Sequence, residues 1–180
     1  MPRVYLGVGS NIERERYIVA GLDALSGLFG ELELSSVYDS AAIGFDGQPF
    51  LNLAVAVDTR LELAELARTL RHIEVEHGRP NNAVRFSARQ LDIDILTYGD
   101  AVGTISGVEL PRGEILENAF VLGPLAELAP DDVHPLVGES YAALWGEFQR
   151  RLEAEPERMQ GQHVRTVDFQ WRGRSISVAG

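Results

Sequence analysis

Short apolar runs alternate with helical stripes along the first hundred residues. VYLGVG, Val4 to Gly9, is apolar and β-branched, the pattern of a buried strand. Ser10 and Asn11 follow as N-cap residue types, and Ile18, Leu22, Leu25 and Phe29 then recur at helical spacing up to Gly30. ELELSSVYDS sets Leu32, Leu34 and Ser36 against polar neighbours, which predicts a half-exposed strand. FLNLAVAVDT, Phe50 to Thr59, predicts a more deeply buried one. Leu63, Leu66, Leu70 and Ile73 form one helical stripe that ends at Gly78. After a polar loop, an apolar strand begins at Leu91.

Beyond Gly99 the pattern loosens. AVGTIS and VELP predict a short hairpin, and Phe120 to Leu128 a buried helix halted by Pro130. Tyr141, Leu144, Trp145 and Phe148 mark another amphipathic helix, and HVRTVDFQW with RSISV predicts a C-terminal hairpin. The element order βαββαβ, with one direct ββ connection, predicts an α+β fold: a ferredoxin-like open sheet with helices packed on it, plus C-terminal additions. No repeat or linker divides the 180 residues, so one domain over 1–180 is the expectation.

Composition narrows the function classes. No apolar run reaches the length of a membrane span, and the N-terminus lacks the features of a secretory signal, so a cytoplasmic protein is expected. With no cysteine there is no disulfide, thiolate metal site or Cys nucleophile. A net charge of −11 argues against a general nucleic-acid binder. Against that background Arg68, Arg71, Arg79, Arg85 and Arg89 crowd into one stretch. Such a cluster suits either a solvated face or a site for an anion.

RQLDIDIL, Arg89 to Leu96, holds the most informative chemistry. Leu91, Ile93 and Ile95 belong to one face of a strand, while Asp92 and Asp94 share the other, about 7 Å apart at their Cα atoms. Two carboxylates so close repel each other unless something positive lies between them. Mg²⁺ suits such a pair, because it takes one or two carboxylates and completes its shell with water and substrate phosphates. Paired metals in turn suit phosphoryl-type transfer. A strand with two acids pointing at water is the plainer alternative, and the arginines upstream favour a phosphate site.

GVGSN lacks both the third glycine of a dinucleotide fingerprint and the Lys-Ser/Thr of a P-loop, and reads as a strand-to-helix turn. Phe50 and Phe120 are core-like aromatics. Asn52 is an amide in an apolar run and needs partners. A planar heterocycle between the rings, read by the amide, would employ all three. His72, His77, His134 and His163 show no metal-ligand spacing.

These pieces together resemble the 6-hydroxymethyl-7,8-dihydropterin pyrophosphokinases of folate biosynthesis. LGVGSN, GFDGQPFLN (44–52), IEVEHGR (73–79), RFSARQLDIDIL (85–96) and AFVLGPLAELAP (119–130) carry the resemblance, which covers about residues 4–130. It implies transfer of pyrophosphate from ATP to the pterin's hydroxymethyl oxygen with release of AMP, and two Mg²⁺ ions held by Asp92 and Asp94. Arg79 and Arg89 match phosphate-clamping arginines, to be counted with the aspartates as the catalytic set. Glu74, Arg85 and Arg112 join them on the ATP side. Ser40, Ile43, Phe50, Asn52 and Phe120 match the pterin pocket.

The chain departs from the family pattern at Arg112, where His is usual, and at Asn118, where Arg is common. A paralogue with weakened catalysis that binds a pterin or nucleotide is therefore the alternative reading. An RNA-binding module is disfavoured by the charge and the missing aromatic pattern. Small molecules, ATP and a reduced pterin, are the expected partners, with no nucleic acid or membrane, and a monomer is expected.

Overall fold

Val4, Leu6 and Val8 alternate with Tyr5, Gly7 and Gly9 along the first strand, and the two sets face different layers of the molecule. The structure, a computed structural model, describes residues 1–40, 49–78, 90–159 and 162–180. In chain order it contains β1 (Arg3–Ser10), α1 (Arg14–Phe29), β2 (Glu33–Leu34), β3 (Tyr38–Ser40), β4 (Phe50–Asp58), α2 (Leu63–Glu76) and β5 (Asp92–Tyr98). Then come β6 (Gly103–Ile105), β7 (Val108–Leu110), a 3-10 turn (Gly113–Leu116), α3 (Ala119–Leu128) and α4 (Tyr141–Ala154). β8 (Val164–Thr166), β9 (Phe169–Trp171) and β10 (Arg174–Ser177) end the order.

The main sheet has the order β5-β1-β4-β3-β8, with β2 also on β4, and its pairings are antiparallel. This is the ferredoxin-like βαββαβ order with additions. On one face Leu53, Val55, Ile93 and Ile95 join the β1 residues and meet Ile18, Leu22 and Leu25 of α1 and Leu66, Leu70 and Ile73 of α2. Each such side chain contributes about 2 kcal/mol relative to exposure. Gly21 lets α1 come close, since a Cβ there would lie 2.9 Å from Leu91 Cδ1.

On the other face Tyr5, Ala56 and Leu96 meet Leu122 and Leu125 of α3 and Tyr141 and Phe148 of α4. Leu96 reaches that face through an irregularity in the β1/β5 register. Tyr5 pairs with Thr97 and Leu6 with Ile95, leaving Leu96 as an extra residue. Tyr5 also donates a hydrogen bond to Asp132, tying the strand to the segment before α4.

Three expectations are corrected in detail. Ser10 and Asn11 do not cap α1: Ser10 is the last residue of β1, opposite Leu51, and its Oγ donates to the Ile12 carbonyl at 3.2 Å. The helix starts after Glu13, which takes a left-handed φ of 42°. ELELSSVYDS is two short strands, because the Ser35 N–H and hydroxyl oxygen both bond the backbone of Ala54 and break the alternation. HVRTVDFQW is also divided. β8 extends the main sheet beside β3, and only β9 and β10 form the hairpin. Among the described residues, no helix is long and apolar enough to cross a membrane.

Candidate active site

The α3-side face of the sheet is packed under α3 and α4 at one end and carries glycine and polar positions at the other. Cross-strand register lines up Asp92, Gly9, Asn52 and Tyr38 in one row, and Asp94, Gly7 and Ala54 in the next. Partners in an antiparallel register project to the same side. Two carboxylates at one edge are thus separated from an amide and an aromatic ring by β1 positions that carry no side chain. The glycines of GVG let neighbouring side chains lie close over β1. A Cβ at Gly9 would lie 2.6 Å from Asn52 Oδ1.

Asn52 and Ser40 are both buried, and the Asn52 amide donates from Nδ2 to Ser40 Oγ at 3.2 Å. Phe50 stands opposite Ser40 in the register, and its ring edge lies 3.6 Å from the position a Gly9 Cβ would take. Phe120 is half-buried in the first turn of α3, the helix that packs across β4. At the far end of the same helix, Glu127 accepts from the Ser36 N–H (2.8 Å), the Ser36 hydroxyl (2.7 Å) and the Tyr38 hydroxyl (3.0 Å). That clamp fixes α3 against the β2–β3 segment. Burial, and then the Glu127 charge, push the Tyr38 hydroxyl up, so it stays a donor.

Asp92 and Asp94 occupy the start of β5. Behind them Glu74 of α2 is buried and accepts the Ile93 N–H at 2.8 Å. Its carboxylate therefore anchors β5 from the α1/α2 side. Burial holds the Asp94 carboxyl well above the usual carboxylate range; the charges of Asp92, Glu114 and Glu74 add to this, and Arg112 opposes it. A carboxyl in such surroundings takes up a proton or a cation. Among the described residues no group of three or more His, Asp or Glu side chains could hold a metal. A divalent ion at Asp92 and Asp94 would draw its other ligands from water and substrate oxygens, which is how Mg²⁺ is ordinarily held beside phosphates. The residues present fit that ion.

Arg112 closes the carboxylate edge. Its N–H bonds the Leu96 carbonyl at 2.9 Å, placing it beside the end of β5. Its Nη2 lies 3.7 Å from Asp94 Oδ1 and 2.6 Å from Glu114 Oε1, and Nε donates to the same Glu114 oxygen at 3.0 Å. Burial alone would lower the Arg112 pKa, but Asp94 and Glu114 outweigh it, so the guanidinium stays charged. Glu114 Oε2 in turn accepts from Asn118 Nδ2 at 3.0 Å. Sequence reasoning missed Glu114. The signal was there, since Glu114 and Asn118 are four apart and one helical turn brings such residues together.

Of the residues singled out from sequence, Asp92, Asp94, Asn52 and Phe50 share one face, with Ser40 and Arg112 in contact with it. Glu74 lies behind the strand, in contact with its backbone. Ile43, Arg79, Arg85 and Arg89 lie outside the described residues.

Residues 5–130 match the family model of 7,8-dihydro-6-hydroxymethylpterin-pyrophosphokinase. The chain belongs to this family. A 2-amino-4-hydroxy-6-hydroxymethyldihydropteridine pyrophosphokinase of Aquifex aeolicus is 35% identical over 138 residues, covering 76% of this chain and 86% of that protein. The enzyme of the same name from Pseudomonas aeruginosa is 39% identical over 133 residues, covering 72% and 82%. Among solved structures, Plasmodium falciparum HPPK-DHPS superposes with a TM-score of 0.72 over 98% of this chain at 12% identity, a likeness of fold. The chain spans about half, 49%, of that protein. The pyrophosphokinase match covers β1 to α3, the segment that carries this face, and stops before α4.

Proposed function

We infer that the chain moves the pyrophosphoryl group of ATP onto the hydroxymethyl oxygen of 6-hydroxymethyl-7,8-dihydropterin, releasing AMP, in folate biosynthesis. One observation carries the reading. One sheet face, with Gly7 and Gly9 between its two sides, has paired carboxylates and an arginine at one edge, and a buried amide with an aromatic ring at the other. A polyphosphate and a planar heterocycle would meet across it.

On the pterin side, Asn52 supplies donor and acceptor atoms to the heterocycle's edge, with Ser40 orienting the amide, while Phe50 and Phe120 offer their rings to its faces. Ile43 lines the same pocket in this reading. On the nucleotide side, Asp92 and Asp94 would hold two Mg²⁺ ions, which would supply charge neutralisation to the phosphate tail. Arg79, Arg85, Arg89 and Arg112 grip phosphate oxygens, and Glu74 keeps β5 in place beneath them. The Pβ–O bond to the AMP leaving group breaks as the bond from the hydroxymethyl oxygen to Pβ forms. The chain's part is to hold donor and acceptor in line and to meet developing charge with fixed cations. We also propose that the chain acts as a monomeric single domain in the cytoplasm.

The test mixes protein, ATP, Mg²⁺ and the hydroxymethyl-dihydropterin and measures AMP. Formation that depends on all three supports the reading; background AMP from folded protein refutes it. The bonding of Arg112 and Asn118 to Glu114 favours a second reading, a pterin-binding paralogue with a weakened ATP grip. Tight pterin binding with little Mg-ATP binding in calorimetry would select it.

A further inference from the structure

Glu114 has no place in the reaction as described, yet it is bonded to both polar side chains that flank the carboxylate edge. One oxygen accepts from Arg112 Nε and Nη2, at 3.0 and 2.6 Å, and the other from Asn118 Nδ2 at 3.0 Å. Its side chain is 12% exposed, against 34% for Arg112. Asp94 lies 3.7 Å from Nη2, beyond hydrogen-bond distance.

Charge makes that division informative. Asp94 shares its surroundings with Asp92 and Glu74, so a guanidinium beside it should close on it and neutralise it. Arg112 is instead engaged by Glu114 through two N–H groups and only approaches Asp94. A guanidinium seated on Asp94 would occupy the carboxylate's lone pairs and repel any dication arriving there. Paired to Glu114, the same guanidinium presents almost no net charge to a metal and keeps its remaining N–H groups for a substrate oxygen.

We propose that Glu114 is a positioning residue that holds Arg112 off Asp94, and so keeps that carboxylate open to a divalent cation. The proposal rests on the reading that Asp92 and Asp94 take the metal. Glu114 acts through Arg112 and touches neither metal nor substrate.

The test titrates Mn²⁺ onto the full-length protein without nucleotide and counts free ion by electron paramagnetic resonance, with thermal melts to verify folding. Arg112→Gln is expected to tighten Mn²⁺ binding on the order of fivefold by removing a neighbouring positive charge. Glu114→Gln is expected to weaken it by about the same factor, because Arg112 is then free to close on Asp94. In the Arg112→Gln background, Glu114→Gln should weaken binding clearly less than it does in wild type, since only the carboxylate's own charge is then lost. A full-sized loss in that background would show that Glu114 acts by its own charge and would overturn the proposal. So would an Arg112→Gln protein that binds Mn²⁺ no tighter than wild type. Should Glu114→Gln not fold, Glu114→Asp keeps the charge and loses the reach to Arg112; it too should bind Mn²⁺ more weakly, and wild-type affinity would refute the idea. Asp94→Asn separates the two levels. If it leaves Mn²⁺ affinity unchanged, the metal reading fails and this inference with it. If it abolishes binding while the double variant behaves as Glu114→Gln alone, only the inference fails.

Discussion

Gly9→Ala is the sharpest probe of this face, because its effect can be worked out from one contact. The added methyl would lie 2.6 Å from Asn52 Oδ1, and ordinary contact begins near 3.4 Å, so the amide must give by close to an ångström. The amide is not loose. It is buried and donates to Ser40 Oγ at 3.2 Å, while the Phe50 ring edge lies 3.6 Å from the new methyl. Gly9 sits inside an antiparallel ladder where alanine is accommodated, so backbone strain does not enter. Breaking the Asn52–Ser40 bond costs about 1 kcal/mol, and leaving the amide partly unmet brings the total to about 2 kcal/mol. For a chain of this length that lowers the melting temperature by roughly 4–8 °C. An Asn52 turned from its position should weaken pterin binding by about tenfold, the equivalent of about 1.4 kcal/mol. Steady-state kinetics should then show a raised KM for the pterin and an unchanged KM for ATP. In an Asn52→Ala background the same glycine change should cost far less, because the obstructing amide is gone. A folded Gly9→Ala protein with wild-type pterin KM would refute the reasoning, since the methyl has no other route around Asn52.

Other consequences can be checked more briefly. Asp92→Asn and Asp94→Asn should each abolish AMP formation while circular dichroism stays native; unchanged turnover in both would rule out the metal pair. Because the folded pKa of Asp94 is raised, the folded state binds its proton more tightly than the unfolded chain does, so without metal the ionised group opposes folding. Asp94→Asn should therefore melt higher than wild type at neutral pH, and the gap should close as pH falls toward the ordinary value of 3.8. His134 accepts the Leu136 and Val137 N–H groups at Nδ1, each at 3.2 Å, and burial lowers its pKa. Its contribution is present above the ordinary value of 6.5 and is lost as pH falls through the lower folded value; those two amides should exchange faster on acidification, beyond the intrinsic rate. Glu127→Ala, losing three accepted hydrogen bonds at an exposed site, should cost about 1–2 kcal/mol in denaturant melts. Gly27→Ala, in the last turns of α1 with nothing within 4 Å of the new methyl, should stabilise by about 0.5–1 kcal/mol.

Elements with a strong apolar pattern were legible from sequence. α1, α2 and α4 each show one apolar face at helical spacing, while β1 and β4 are near-continuous apolar runs buried on both faces, and each lies where its pattern indicates. Where hydrogen bonding by a side chain overrides the pattern, it was not. Ser35 interrupts ELELSSVYDS by bonding Ala54, an event fifteen or more residues away in sequence that no local pattern records. β8 was hidden for a related reason, since an edge strand of three residues is set by its partner β3 more than by its own composition. In the site, the shared face of Asp92 and Asp94 follows directly from strand alternation. That Gly7 and Gly9 lie between them and Asn52 needed the register of three strands, and the role of Glu114 needed the path of the chain after β7.

The alternation of Asp92 and Asp94 with Ile93 and Ile95 also bears on how the chain finds its pairing. A slip of β5 by one residue against β1 would drive both carboxylates among the leucines of α1 and α2 and turn both isoleucines toward the opposite face. Burying two unpaired charges there would cost several kcal/mol each, so the misaligned sheet is disfavoured before any ligand is present. The same two acids that would hold the reacting phosphates thereby act as a phase marker for assembly. Replacing both with apolar residues would do more than silence the enzyme: it would remove the strongest signal that tells the edge strand which way to face.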